Sequence, residues 1–310
     1  MAKVELVKVK EIDDGMRLNR WFLKYYPDLP LSGFQKLLRT KQIKVDGKRA
    51  EAGLKLVTGQ EVRVPPLGVE SKELGIEKSV SDKDAKFIQS MVIFKDKNII
   101  VLNKTSGIAV QGGTNTTRHI DGMLDALKFG LEERPRLVHR IDKDTSGILV
   151  LARNRKTADV LTKGFREHKI KKTYLALVVG CPKKNNGEIN APLEKVGEKS
   201  IVVEGGDKAV TTYKVLESVG DKFALVEASP MTGRTHQIRA HMEYLGTPIV
   251  GDNKYFIDKR KKFEMIEDKL HLHAYKVDLS FAYDIVVKIS APVPDFFSKS
   301  LNYLGIEGVR

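Results

Sequence analysis

The stretch Leu137-Val138-His139-Arg140-Ile141-Asp142-Lys143-Asp144-Thr145-Ser146-Gly147-Ile148-Leu149-Val150-Leu151 sets a charged, hydroxyl-rich loop between two apolar runs. Between His139 and Gly147 lie basic groups, the carboxylates Asp142 and Asp144, and the hydroxyls of Thr145 and Ser146. The flanking runs read as buried strands. A carboxylate held between buried strands needs cationic partners or hydrogen-bond donors, and a protein that keeps one there usually uses it.

Around this loop the chain has ordinary globular proportions. Its 310 residues are 41% apolar and 30% charged, enough for a full core and for two domains. No apolar run is long enough for a membrane helix, and the start, Met1 to Leu6, has no signal-peptide core, so a cytoplasmic protein without membrane attachment is expected. A single cysteine, Cys181, rules out an internal disulfide framework. Fifty-four Lys and Arg against forty Asp and Glu give a net charge of +14 and a pI near 9.5. That excess favours a polyanionic partner, above all nucleic acid, although a basic enzyme with no such partner would share it.

Composition changes at Pro65-Pro66. Before it, Leu18, Trp21, Phe22 and Tyr25 recur at helical spacing, and Phe34, Leu37 and Leu38 begin a second helix. Ile43-Lys44-Val45-Asp46-Gly47 reads as a strand entering a turn, and Gln60 to Val64 as another strand. Arg17, Arg20, Lys24, Lys36, Arg39, Lys41 and Lys44 gather on this small module as candidate RNA contacts or simply as a solvated face. Residues 65–86 are polar and read as a linker. From residue 87 onward strands are expected at Ile99–Leu102, Ile148–Leu151, Tyr174–Val179, Ala224–Ala228 and Asp284–Ile289. Helices are expected at Ile120–Phe129, Thr157–His168 and His236–Leu245. The irregular alternation implies an α+β fold.

A second polar constellation spans Pro230 to His241. Thr235 is placed to cap the following helix, whose buried stripe would be Ile238, Met242 and Leu245, with Gly246 ending it. His236 and Arg239 share a face near the helix start. An arginine there can hold a catalytic carboxylate ionised, or can form an ion pair that only joins two elements. The histidines do not make a metal set: His236 and His241 are five apart, and His271 and His273 have no clustered carboxylates or cysteines. Gly107 and Gly112-Gly113 form neither a phosphate loop nor a dinucleotide fingerprint, so neither ATP nor NAD is supported.

The run from His139 to Gly147 resembles the signature of the RluA-type pseudouridine synthases, His-Arg-Leu-Asp followed by Thr-Ser-Gly, with Ile141 in place of leucine. The resemblance continues through Val101 to Lys104, Lys172-Thr173-Tyr174, Gly233 to Arg239 and Leu272-His273-Ala274; Thr105 stands where the family usually has proline. Residues 17–64 are similar to an S4 RNA-binding domain, except that Asn19 replaces a common acidic residue and Lys41 a common glycine. The organisation implied is an S4-like α/β domain over 1–64, a linker over 65–86 and a synthase domain over 87–310 with a mixed, mainly antiparallel sheet.

Carried over, the family's catalytic aspartate matches Asp142, its basic partner Arg239 and its active-site tyrosine Tyr174, expected against the base and as an acceptor of the C5 proton. Arg140 matches the arginine that holds the extruded nucleotide. His139 is a candidate for backbone or substrate contact, Arg234 for a phosphate or structural contact and His236 for substrate contact, and Leu272 resembles the apolar lining of the base pocket. The implied reaction turns uridine into pseudouridine with no metal or cofactor. The surroundings of Ala109 to Gly113 and His119 look like the RluC branch. That branch implies 23S ribosomal RNA or a large-subunit assembly intermediate as partner, at uridines 955, 2504 and 2580 of the reference numbering, and no obligate protein partner. Alternatives are the RluD branch, a tRNA-modifying relative, or a ribosome-assembly protein that binds RNA without catalysis.

Overall fold

A computed structural model describes residues 4–67, 80–112, 116, 118–256, 263, 265–282 and 287–308. It resolves the chain into two compact units, Met1–Ser79 and Val80–Arg310. Gly113, residues 68–79 of the expected linker and residues 284–286 of the expected strand lie outside the described residues.

The first unit runs β1 (Glu5–Lys8), α1 (Leu18–Tyr25), α2 (Leu31–Arg39), β2 (Lys44–Val45), β3 (Lys48–Arg49) and β4 (Glu61–Val64), with sheet order β1-β4-β2-β3. Leu18, Trp21, Phe22 and Tyr25 are all buried, as their i, i+3, i+4, i+7 spacing requires, and pack with Phe34, Ile43 and Val62. The β2–β3 hairpin turns through Asp46 and Gly47, both at positive φ, as a tight two-residue reversal demands. Helix α2 ends where Lys41 adopts φ 60°, with its N–H donating to Leu38 O at 3.0 Å and that of Gln42 to Leu37 O at 2.9 Å. This is the left-handed stop at which glycine is the unstrained residue, a physical reason for a glycine preference at this position. Of the expected RNA contacts, Arg17, Arg20, Lys36, Arg39 and Lys41 are exposed and Lys44 is half-buried. Lys24 is a correction, because its ammonium is committed to the fully buried carboxylate of Asp13 at 2.6 Å. Asp13 also accepts from the Tyr25 hydroxyl, so Lys24 serves this unit's core.

The second unit opens with α3 (Asp82–Ser90), which occupies the last part of the stretch expected to be linker. Ser81 caps it by accepting from the Asp84 N–H, Asp82 and Asp84 sit in its first turn, and Ile88 is buried; its few apolar residues hid it from periodicity. There follow β5 (Val92–Lys95), β6 (Ile99–Lys104), β7 (Arg136–Leu137), β8 (Ser146–Ala152), α4 (Arg155–Arg166), β9 (Lys171–Val179), β10 (Asn186–Asn190), β11 (Leu193–Val196), β12 (Lys199–Val202), β13 (Val210–Val219), β14 (Phe223–Pro230), α5 (Gln237–Tyr244), β15 (Leu272–Asp278), β16 (Lys288–Ser290) and α6 (Asp295–Tyr303). The segment expected as a helix from Ile120 forms tighter 3-10 turns over Asp121–Leu127, with Met123, Leu124 and Leu127 buried.

The main sheet has the order β10-β13-β14-β9-β15-β8-β6-β5, with β16 on β15 and β7 on β8. It is mainly antiparallel, and β8 and β15 pair in parallel. Strand β9 divides the core by its period of two. Tyr174, Ala176 and Val178 face the layer closed by Ile238 and Met242 of α5, whereas Leu175 and Leu177 face Phe297 and Leu301 of α6. Every residue of β8 is buried, which explains its near-continuous apolar run.

The parallel pair is close enough to dictate its residues. Gly147 lies at φ 105°, and a Cβ there would stand 2.3 Å from the Ala274 carbonyl oxygen. Ser146 and His273, directly opposed, are joined by an Oγ–Nδ1 hydrogen bond of 2.9 Å. His273 Nε2 lies 3.2 Å from the Ala291 carbonyl, so it donates and Nδ1 accepts from the Ser146 hydroxyl. His271 donates from Nδ1 to Lys269 O at 2.7 Å and accepts from Ser300 Oγ at 2.8 Å. Burial pushes both histidines down to about 4.

Two predictions follow from this frame. Replacing Gly147 with alanine forces the Cβ into backbone, so the second unit should lose at least ~4 kcal/mol of stability in denaturant titration; a variant with wild-type stability would contradict the geometry. The buried neutral histidines set a pH dependence. Their folded pKa values lie below the ~6.5 of an unfolded histidine, so between about pH 4 and 6.5 the unfolded chain binds more protons. Stability from this source is fully present above that window and falls as pH drops through it. Urea midpoints measured from pH 7 to 4.5 should decline steadily, and a flat profile would show that these histidines are not held neutral.

Candidate active site

The loop between β7 and β8, the N-terminal end of β9, the turn from β14 into α5 and the first residue of β15 converge on one cleft. Its open volume is about 520 Å³, and it is lined by Arg140, Ile141, Asp142, Thr145, Lys172, Tyr174, residues 230–239 in part, and Leu272. Asp142 and Tyr174, distant in sequence, both line it, and the charge of the Asp142 carboxylate acts on the Tyr174 phenol through space. Desolvation, with Asp142 adding to it, raises the phenol's pKa far above the usual tyrosine value, so Tyr174 stays protonated.

The loop carrying Asp142 is held from beneath by Lys104. This lysine, at the end of β6, is fully buried, and its ammonium donates to the carbonyls of Lys143 at 2.8 Å, Thr105 at 3.0 Å and Ile108 at 3.0 Å. Desolvation pulls its pKa down to about 7, against the pull of Asp144 and Asp142. Ser106 adds a bond from its hydroxyl to the Asp144 carbonyl at 2.7 Å. Lys104 thus clamps the residue immediately after Asp142. In the sequence it closed the Val101 to Lys104 motif, without an assigned role; the signal was a lysine ending a run of buried residues.

Arg239 reaches the cleft, but its partner differs from the one expected. Its guanidinium is bidentate on Asp252, with Nε at 2.7 Å and an Nη at 2.6 Å, and both groups are at most 4% exposed. Asp142 acts on it only through space. Asp252 also accepts from the N–H groups of Lys254 at 3.0 Å and Tyr255 at 3.1 Å, which fixes the carboxylate and so the arginine. Asp252 was missed because its pairing crosses thirteen residues between separate elements; Gly251-Asp252 with Tyr255 was the available cue. Gly251, at φ 70°, leaves room for the Lys269 carbonyl that a Cβ would overlap at 1.9 Å.

Thr235 does not cap α5. His236 holds the N-cap position in the left-handed region, at φ 53°, and the Thr235 carbonyl instead accepts from Ser200 Oγ at 2.7 Å. Gln237 ties the turn together. Its Oε1 accepts from Thr232 Oγ1 at 2.7 Å and Arg234 N at 3.1 Å, while Nε2 donates to Val210 O and Thr211 Oγ1, each at 2.9 Å. This left-handed residue turns the imidazole to the cleft, where Nε2 lies 3.9 Å from Asp142 Oδ2 and Nδ1 lies 3.2 Å from the Tyr255 hydroxyl. Desolvation lowers the His236 pKa, opposed by Asp142.

The remaining candidates separate. Arg140 and Leu272 line the cleft. Arg234 lines it too, while donating to Lys208 O at 3.1 Å and pairing with Asp207 at 3.2 Å. His139 does not line it. Its Nε2 accepts from the Val150 N–H at 2.8 Å and its ring stacks on Phe165; burial, reinforced by Lys172, pushes it down to about 3. It is therefore a neutral brace between loop and strand, in correction of a substrate-contact role. Thr145, quoted in the loop but given no role, has a buried hydroxyl in the cleft wall with no partner among the described residues. Among the described residues no three His, Cys, Asp or Glu side chains gather as a metal set.

The cleft brings together Asp142, Tyr174, Arg239 and Leu272, the residues on which the resemblance to RNA pseudouridine synthases rests, and comparison with known proteins agrees. Residues 98–244 match the family model described as RNA pseudouridylate synthase. The chain is 36% identical to ribosomal large subunit pseudouridine synthase C of Vibrio parahaemolyticus, covering 97% of this chain and 96% of that protein. It is 40% identical to the mitochondrial RNA pseudouridine synthase 4 of Arabidopsis thaliana, covering 92% and 78%. A solved structure of human RNA pseudouridylate synthase domain containing 4 superposes with a TM-score of 0.62 at 30% identity, covering 71% of this chain and 95% of that one. The chain belongs to the RluA-type family of RNA pseudouridine synthases.

The buried pair yields a test of the frame. Asp252→Asn would leave the Arg239 charge uncompensated, with an expected cost of about 3–5 kcal/mol in denaturant unfolding and a loss of turnover beyond the loss of folded protein. Unchanged stability would mean that Asp252 does not carry the arginine.

Proposed function

We propose that this protein isomerises specific uridines of 23S ribosomal RNA to pseudouridine in the cytoplasm, with Asp142 as the nucleophile. The observation that carries the reading is the cleft itself. Among the described residues that line it Asp142 is the one carboxylate, beside a protonated Tyr174, the braced Arg239 and the apolar Leu272. The likeness to synthases named for the large ribosomal subunit supports the choice of RNA, and the net +14 charge suits a polyanion.

The reaction breaks the N1–C1′ bond, turns the uracil and joins C5 to C1′; the C5 proton is lost and N1 gains one. Asp142 adds to C6 of the base or to C1′ of the sugar, and both routes need an ionised carboxylate beside a desolvated base. Arg239 supplies positive charge there without taking the carboxylate as its own partner. Tyr174 offers a flat face and a donating hydroxyl. Its raised pKa makes it a poor acceptor for the C5 proton unless substrate binding changes its surroundings. A target in paired RNA must be flipped out of its stack, and Arg140, exposed on the cleft wall, is proposed to hold it there. In the first unit, the exposed cations Arg17, Arg20, Lys36, Arg39 and Lys41 are proposed to hold flanking RNA.

The test is to incubate the protein with unmodified 23S ribosomal RNA and map pseudouridine at single-base resolution. Product at positions 955, 2504 and 2580 supports the RluC-type assignment. Product elsewhere in that RNA, or in tRNA, keeps the enzyme and corrects the target. Asp142→Asn should give no product while RNA binding persists; turnover by this variant would remove Asp142 as nucleophile.

A further inference from the structure

The cleft holds more positive charge than its own acids match. Among the described residues that line it, four are lysine or arginine, namely Arg140, Lys172, Arg234 and Arg239, against Asp142 alone. Arg239 is satisfied by Asp252 and Arg234 by Asp207 and the Lys208 carbonyl. Arg140 projects from the exposed part of the loop, where water can serve it. Lys172 has a different setting. It is half-buried, it lies two residues before Tyr174 on β9, and the strand's alternation turns both side chains to the same face.

The sheet is open at this position. Strand β14 pairs with β9 only as far as Ala228 opposite Tyr174, so at Lys172 the strand has β15 on one side and the cleft on the other. Burial lowers the Lys172 pKa, and no carboxylate offsets that. Its charge is felt instead by His139 and His168, and that of Arg234 also reaches His168. Lys172 and Arg234 therefore act together on one side of the cleft, where burial and their charges hold the His168 pKa down. No hydrogen bond or ion pair within the described residues receives its ammonium. A partly dehydrated ammonium without an acceptor is costly, and a ligand bringing its own anion repays that cost.

We propose that Lys172 binds an RNA phosphodiester next to the flipped uridine, fixing the backbone at the cleft rim while the base occupies the space beside Asp142 and Tyr174. The inference rests on the functional reading above. It assigns the anion by chemistry: each nucleotide carries one phosphodiester, and those on either side of a flipped nucleotide are tied by covalent bonds to the cleft mouth. A lysine suits such a site as a point charge with three rotatable donors.

The probe is a short RNA containing a uridine that the wild-type protein converts, made in three forms: all phosphodiester, with a methylphosphonate 5′ of the target, and with a methylphosphonate 3′ of it. The sugar preceding each tested linkage is 2′-deoxy in matched controls. Dissociation constants and single-turnover rates are measured for wild type, Lys172→Met and Lys172→Arg. Wild type should lose about tenfold in affinity on one of the two neutral linkages. K172M should show a similar loss on the all-phosphodiester RNA and no added loss on that neutral linkage, while K172R recovers most of the binding. The rate at saturating RNA should change far less than the affinity. Equal losses for K172M on charged and neutral linkages, or a wild type indifferent to both neutral linkages, would overturn the assignment even if K172M proved unstable. Conversion of no uridine by wild type is a separate outcome, which overturns the functional reading and this inference with it.

Discussion

The parallel contact between β8 and β15 is the constraint on which the catalytic unit is built. Strand β8 brings the loop of Asp142 and β15 brings Leu272, while β9, paired to β15 on its other side, brings Tyr174 and Lys172. The contact depends on a position without a side chain, since any Cβ at Gly147 would enter the Ala274 backbone. Because Ser146 and His273 lock the register beside it, a shift of β8 by one residue would move Asp142 and break a buried hydrogen bond together. Fold and site are thus one set of interactions.

Charge in the site is distributed by the same logic. Asp252 neutralises and orients Arg239, and the arginine's field reaches Asp142 without a direct ion pair. Had Arg239 bonded Asp142 bidentately, as an isolated reading of the helix allowed, the carboxylate's lone pairs would have been engaged before substrate arrived. Lys104 works from the opposite side, holding the backbone of Lys143 rather than a side chain, so the loop is fixed while its carboxylate stays open to the cleft. The exposed and half-buried cations, Arg140 and Lys172, are the ones left for a ligand.

Much of this was readable in the sequence where local physics decides. The buried helix stripe of Leu18, Trp21, Phe22 and Tyr25, the strand of Ile148–Leu151 and the Gly246 stop all follow from periodicity or backbone preference. Asp142, Tyr174, Arg140 and Leu272 were legible as a motif set, and the fold brings them to one cleft. What local pattern could not give was partnership across distance. Lys24 looked like a surface cation until Asp13 claimed it, and His139 looked like a ligand contact until β8 used it as an acceptor. Asp252 escaped notice, and Lys104 was quoted only as the end of a motif without a role, because Arg239 and the Lys143 carbonyl that they hold belong to other elements. Helix α3 was hidden because only Ile88 of its residues is buried.

The histidines carry the argument one step further. Seven occur in the chain, a number that invites a metal or acid–base reading. His139, His241, His271 and His273 each spend ring nitrogens on backbone or hydroxyl partners, and burial keeps each neutral. A neutral imidazole offers one donor and one acceptor at fixed geometry, so it can bridge two strands or a strand and a helix without bringing a buried charge. Using histidine in this way leaves the field in the cleft to Asp142 and the cations around it. A reaction that needs one ionised carboxylate beside an uncharged base is served by such economy, because every further buried charge would compete with Asp142 for the same dielectric environment.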